Sequence, residues 1–143
     1  MKKELKVEKS IDINSSAEKI WRVMTESEFI KQYLYGTEAS GAWEEGEQIF
    51  FRGAFDGMSY EDKGWVKRSE KPHLLSYSYW SSFSGLEDHP DNYFLVTYKI
   101  DSMDDGCRFT WHQKGFPNEE RQKHTENSLG QILEQIKTLA EKL

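Results

Sequence analysis

The side chains that could do nucleophilic or metal chemistry are few and scattered. No two of the four histidines are four residues apart with a glutamate between them, so the zinc-protease signature is absent; they are His73, His89, His112 and His124. The one cysteine, Cys107, excludes an intramolecular disulfide and any multi-cysteine zinc site. No basic residue precedes it to activate its thiol. We therefore expect no resident metal, no cofactor and no catalytic residue of these kinds.

Carboxylates are numerous, but most fall in predicted turns or at predicted helix starts. Asp62 alternates in phase with Tyr60 and Gly64, so it is the only strand carboxylate predicted to face inward. A catalytic acid within an apolar cavity would need such a position. If the protein is an enzyme, its polar groups would be Tyr60, Asp62 or Gln122, although a binding protein is the stronger expectation.

Aromatic side chains give a clearer pattern, because they recur on the inward face of successive predicted strands. Four of these inward rings are tyrosines, whose hydroxyl groups need partners when buried. Ligand sites are mostly apolar with a few placed polar groups, and tyrosine supplies both. A plain hydrophobic core is the alternative. The candidate ligand-binding residues are Phe29, Tyr33, Phe51, Tyr60, Tyr77, Tyr79, Phe94, Tyr98, Trp111, Gln122, Thr125 and Leu129.

Length and charge limit the function classes. The 143 residues fit one domain, which we place over the whole chain, and the net charge is -6. A surface that reads phosphate groups needs a basic patch, so nucleic acid is a poor candidate partner. The first residues, including Met1–Glu4, lack the apolar core of a signal peptide, and no apolar run could span a membrane. We expect a cytoplasmic protein.

The elements that position these residues can be read along the chain. Alternation predicts a strand over 5–13, and two serine- or threonine-led capping boxes, 15–18 and 25–28, predict two short helices. From about residue 35 to 115 the signals are strands and turns, with hairpins at Asp56-Gly57 and at Asp104-Asp105-Gly106. An apolar stripe predicts a long C-terminal helix. The fold class is therefore α+β: strand, two helices, an antiparallel meander and a final helix, with about six to seven strands.

The first turns of the last helix carry polar residues on the face that is apolar further along. Asn118, Gln122 and Thr125 share the face of the later leucines and isoleucines. Either these turns look into a partly wet cavity mouth, or they project beyond the sheet into solvent.

The order and spacing of several loose motifs resemble a known family. They are the opening strand and helix from Val7 to Trp21, then Thr25–Phe29, Gly64-Trp65-Val66 with Pro72 and Leu75 behind it, and the stretch from Arg108 to Phe116. Together they resemble the START-like (SRPBCC, helix-grip) superfamily. Within it, the chain is most similar to the branch homologous to the C-terminal domain of the activator of the heat-shock-protein-90 ATPase.

This resemblance implies a curved antiparallel sheet around one long C-terminal helix, and it leaves three functions open. The first is the binding of a small hydrophobic or amphipathic molecule between sheet and helix. The second is a co-chaperone-type interaction domain in the stress response, and the third is a cyclase-like enzyme using the same cavity. Alternation also places Phe50, Trp65 and Leu95 on the outer face of the sheet, as a possible chaperone or homodimer contact.

Overall fold

The computed structural model describes residues 5–34 and 36–143. In this part of the chain, seven antiparallel β-strands and three α-helices follow one another in the predicted order. They are β1 (Lys6–Ile13), α1 (Ala17–Thr25), α2 (Ser27–Tyr33), β2 (Glu38–Ser40), β3 (Gln48–Phe55), β4 (Met58–Glu70), β5 (Leu74–Tyr79), β6 (Phe94–Met103), β7 (Gly106–Lys114) and α3 (Glu119–Lys142). Short 3-10 turns lie at Ser82–Ser84 and Pro90–Asn92, between β5 and β6.

The strands of the described residues form one seven-stranded sheet in the order β1-β7-β6-β5-β4-β3-β2. Consecutive strands from β2 to β7 pair antiparallel with one another, and β1 forms the edge of the sheet beyond β7 by pairing antiparallel with it. The helix α3 buries its predicted apolar stripe, through Leu129, Leu133, Ile136 and Ala140. The α+β helix-grip fold predicted from the sequence is confirmed.

Both predicted hairpin turns form, because each supplies the backbone conformation that a tight turn needs. Asp56 and Gly57 join β3 to β4 with φ angles of 52° and 78°, and positive φ at both positions matches the twist of a two-residue hairpin. Asp104 and Asp105 join β6 to β7, and Gly106 follows them with φ of 92°.

The helices begin where expected, but the predicted capping boxes are wrong. The N-cap of α1 is Ser16, whose side chain accepts a hydrogen bond from the Lys19 amide, whereas the Ser15 hydroxyl donates to the Ala140 carbonyl. The N-cap of α2 is Glu26, which makes no side-chain cap hydrogen bond. Thr25 instead donates to the Trp21 carbonyl, because it still belongs to α1. Local spacing predicted Ser15 as the cap of α1, but its hydroxyl forms a tertiary contact with α3 instead.

Candidate ligand-binding cavity

A cavity of about 780 Å³ lies between the inward face of the sheet and the first half of α3. Strands β3 to β7 supply one wall, α3 supplies the other, and the connection from α2 to β2 closes one side. The described lining residues are Leu34, Thr37, Phe51, Ala54, Asp56, Met58, Tyr60, Asp62, Tyr77, Tyr79, Phe83, Val96, Trp111, Gln113, Thr125, Ser128, Leu129 and Ile132.

The cavity has a buried end and an exposed rim. Tyr77, Val96 and Leu129 are each less than 5% exposed, so they lie at the buried end. Met58, at the start of β4, is 64% exposed, and Phe83, in the first 3-10 turn, is 49% exposed. Both also line the cavity. Among the described residues, two of the four exposed large apolar side chains therefore lie where the cavity meets solvent.

Seven of the candidate ligand-binding residues line this cavity. They are Phe51, Tyr60, Tyr77, Tyr79, Trp111, Thr125 and Leu129. They come from five different elements, so the sheet curvature and the position of α3 bring them together.

Five other candidates are not among the residues lining the cavity. The Tyr33 hydroxyl donates to the Val23 carbonyl at 3.3 Å, and Tyr98 packs against Trp111 with ring centroids 4.9 Å apart. Phe29 is buried on α2 beneath the guanidinium group of Arg22. These three side chains belong to the packed core behind the cavity wall.

Phe94 and Gln122 are the other two. Phe94 packs edge-on against Phe116, with ring centroids 5.0 Å apart. The Gln122 side-chain amide donates to the Lys6 carbonyl at 2.9 Å, which ties α3 to the start of β1. Gln122 is therefore not part of the cavity lining that contains Tyr60 and Asp62.

The sequence left open whether the polar first turns of α3 face a cavity or lie outside it, and the structure shows some residues in each position. Thr125 and, one turn later, Ser128 line the cavity. Asn118 is the N-cap of the helix and accepts a hydrogen bond from the Arg121 amide at 2.9 Å. Only part of the polar stretch therefore looks into the cavity, and the rest begins the helix or fastens it to β1.

The phenol hydroxyls in and beside the cavity have hydrogen-bond partners within the protein. The hydroxyls of Tyr77 and Tyr98 lie 2.5 Å apart, and the Tyr60 hydroxyl lies 2.6 Å from that of Thr37. Tyr79 donates to a carboxylate oxygen of Asp62 at 2.6 Å. Burial raises the pKa of Tyr79 well above the usual phenol value, and the negative charge of Asp62 adds to this effect. Tyr79 is therefore a neutral donor at physiological pH.

Sequence reasoning placed Asp62 inward but did not include it among the ligand-binding residues. Its side chain is buried in the cavity wall, where it also accepts a hydrogen bond from the Ser82 amide at 3.0 Å. Gln113 was missed altogether, although it alternates in phase with Trp111 along β7. The indole of Trp111 donates to the side-chain oxygen of Gln113 at 3.2 Å.

Two further findings concern the described part of the chain only. Among these residues, no cluster of three or more histidine, cysteine or acidic side chains is placed to hold a metal ion. No helix within the same residues is long and apolar enough to cross a membrane.

The sequence itself matches a family model over residues 14–141; the family is described as Activator of Hsp90 ATPase homolog 1-like protein. The chain belongs to this family. The resemblance noted from the order of its motifs is thereby confirmed. No curated protein sequence matches the chain.

Solved structures of similar proteins share the helix-grip fold of this family member. The solution structure of protein ChR145 from Cytophaga hutchinsonii is 33% identical, with a TM-score of 0.85, covering 99% of this chain and 97% of that one. Protein MLL2253 from Mesorhizobium loti is 19% identical, with a TM-score of 0.77 and coverage of 96% and 97%. The Aha1 dimer from Colwellia psychrerythraea is 15% identical, with a TM-score of 0.74 and coverage of 95% and 96%. At the lower identities the likeness shows the fold alone.

Proposed function

We propose that this protein binds a small hydrophobic or amphipathic molecule in the cavity between the sheet and α3. The observation that carries the proposal is the cavity itself, whose volume of about 780 Å³ lies within the range of roughly 300–1,000 Å³ usual for ligand pockets. Its lining combines aromatic and aliphatic side chains with a few polar groups, as small-molecule sites do.

The rim supports the same function. Met58 and Phe83 expose apolar surface beside the cavity instead of being packed into the core. An apolar ligand that enters here would cover part of that surface, which favours binding. The buried end, around Val96 and Leu129, would receive the most apolar part of the ligand.

The test is to fill the cavity and measure the binding of Nile red, a neutral dye that fluoresces in apolar surroundings. Ser128 lines the cavity, and its hydroxyl bonds only locally, to the Thr125 carbonyl at 3.2 Å. We expect Ser128→Phe to reduce dye affinity at least about tenfold, which corresponds to 1.4 kcal/mol.

Thr138→Phe is the matched control. Thr138 lies on the exposed side of the same helix and makes a similar bond, to the Glu134 carbonyl at 3.0 Å. It should leave dye binding unchanged. The proposal fails if the wild-type protein does not bind the dye, or if both variants bind it as the wild type does.

A second candidate function is a contact with another protein through the outer face of the sheet. We define the outer patch as Phe50, Trp65 and Leu95. Trp65 is 42% exposed, Phe50 and Leu95 are half-buried, and the guanidinium of Arg52 lies 4.4 Å from the centroid of the Phe50 ring. Aromatic rings and arginine are enriched in protein interfaces.

Trp65→Ser tests this function separately from ligand binding. If the patch binds a chaperone of the heat-shock-protein-90 type or a second copy of the chain, the substitution should abolish that complex in a pull-down or in sedimentation. Nile red binding should be unaffected, because Trp65 does not line the cavity. A wild-type protein that stays monomeric and retains no chaperone would exclude the patch as such a contact.

A further inference from the structure

Asp62 places an acidic group in the cavity wall without a basic partner there. Its side chain is on β4, and the residue is only 5% exposed. One oxygen accepts the Tyr79 hydroxyl at 2.6 Å, and the other accepts the Ser82 amide at 3.0 Å and the Ser82 hydroxyl at 3.3 Å. All of these donors are neutral groups.

The basic residues near Asp62 along the sheet form ion pairs with other carboxylates. Lys63, the next residue, forms an ion pair with Asp88 at 2.6 Å. Arg52 on β3 pairs with Glu61 at 2.6 Å on the opposite face of the sheet from Asp62. Neither basic side chain lines the cavity.

The described lining of the cavity as a whole also carries acidic groups and no basic ones. Among its described lining residues, the ionisable side chains other than tyrosine are two aspartates, Asp56 at the rim and Asp62 in the wall. The described lining includes no lysine, arginine or histidine. A ligand with a negative head group would lose its hydration here without gaining a positive partner, which is costly in a mostly apolar space.

Asp62 still has room to accept a further hydrogen bond. An ionised carboxylate offers about four acceptor positions on its two oxygens, and the protein supplies three donors. A donor that carries positive charge makes the strongest bond to such a group. The carboxylate is held in place by β4, by Tyr79 on β5 and by the turn at Ser82, so it need not be reorganised when a ligand arrives.

We propose that the cavity selects amphipathic molecules whose polar end is a protonated amine, and that Asp62 pairs with this ammonium group. The proposal rests on the proposed function, that the cavity binds a small molecule. The apolar part of the ligand then lies against Phe51, Val96 and Leu129, at the buried end. Carboxylate-headed lipids such as fatty acids are disfavoured by the same geometry.

The experiment compares three probes with the same apolar chain: decylamine, decanol and decanoate. Each is titrated, below its aggregation concentration, against the wild-type protein loaded with Nile red. We expect decylamine to displace the dye at a concentration at least about tenfold lower than decanoate, with decanol in between.

Two substitutions test whether Asp62 causes this order of displacement by the three probes. Asp62→Asn keeps the shape and an acceptor oxygen for the Ser82 amide, but removes the charge, so decylamine should lose its advantage over decanol. Glu61→Gln removes the same charge one position along β4, where the side chain is exposed and bound to Arg52. It should preserve the wild-type order, and circular dichroism checks that each variant is folded.

The outcomes separate this proposal from the function on which it rests. If Nile red binds but decanoate displaces it as well as decylamine does, the amine preference is refuted and the binding function stands. A preference that survives in Asp62→Asn likewise refutes the role of Asp62. If the dye never binds, the binding function itself fails. If Asp62→Asn does not fold, the order of the probes on the wild-type protein decides whether the cavity prefers amines.

Discussion

The hydroxyl groups of Tyr77 and Tyr98 lie 2.5 Å apart between the neighbouring strands β5 and β6, and both rings are buried. The rings meet edge to face, with centroids 5.5 Å apart. Tyr77 lines the cavity, whereas Tyr98 is not part of the lining. The pair therefore joins the cavity wall to the core. One hydroxyl donates to the other, so a single hydrogen bond gives both buried phenols a partner.

Removing one of these hydroxyls should cost more than removing both. Tyr98→Phe leaves the Tyr77 hydroxyl without this partner, and we expect the free energy of unfolding to fall by about 1–3 kcal/mol. The double variant Tyr77→Phe/Tyr98→Phe replaces both partners by apolar rings, which is close to neutral. Urea denaturation of the two single variants and the double variant measures the coupling. Strictly additive losses would show that the two hydroxyls act independently.

Gly64 on β4 should not tolerate a side chain. A Cβ atom there would lie 1.6 Å from the Ser78 carbonyl oxygen and 2.7 Å from its carbon, so the backbone of β5 would have to move. Overpacking of this kind typically costs about 1–3 kcal/mol, and we expect Gly64→Ala to reach at least that in thermal or urea unfolding.

Gly130 on α3 provides the matched control. An added Cβ there meets nothing within 4 Å, and the residue lies inside a helix. Gly130→Ala should therefore raise the free energy of unfolding by about 0.5–1 kcal/mol, through the helix propensity of alanine. If both alanine variants changed stability alike, the close approach at Gly64 would not be the cause.

Stability should decline at alkaline pH. Burial raises the pKa of Tyr33, Tyr77, Tyr79 and Tyr98 above the usual phenol value. Above about pH 10 the unfolded chain loses these protons while the folded protein keeps them, so the free energy of unfolding falls as pH rises. Above about pH 10, each such tyrosine lowers the free energy of unfolding by about 1.4 kcal/mol per pH unit. Below about pH 10 these tyrosines are protonated in both states, so they add no pH dependence.

Urea unfolding at several alkaline pH values, together with phenolate absorbance, measures this slope. Tyr33→Phe should make it shallower by about one proton, because Tyr33 is fully buried and its hydroxyl donates only weakly, at 3.3 Å, to the Val23 carbonyl. If the wild-type protein gained more phenolate absorbance near pH 10 than Tyr33→Phe does, while circular dichroism remains native, the assignment to Tyr33 would be contradicted.

The N-cap of α3 should stabilise the helix that forms one wall of the cavity. Asn118→Ala removes the acceptor of the Arg121 amide and should cost about 0.5–2 kcal/mol in urea unfolding. Asn127→Ala, at an exposed position inside the same helix, should be neutral or slightly stabilising. Equal effects at the two sites would mean that the cap contributes nothing specific.

The sequence alone was sufficient to predict the fold because its signals are local and agree with one another. Alternation along the strands, the turns at Asp56-Gly57 and Asp104-Asp105-Gly106, and the apolar stripe of α3 each depend on neighbours in the chain. The inward position of Asp62 follows from the same alternation. The prediction of Ser15 as a cap was wrong because a distant group competed: the Ser15 hydroxyl donates to the Ala140 carbonyl on α3.

Only the tertiary structure decided which inward residues line the cavity. Tyr77 and Tyr98 have the same residue type and the same strand alternation, yet only Tyr77 lines it, because the position of α3 determines where the space between sheet and helix remains open. Gln122 was predicted inward with Thr125, but a carbonyl at the start of β1 binds its amide. Periodicity gives the face of a strand or helix, whereas the depth along that face depends on how far apart the two layers pack.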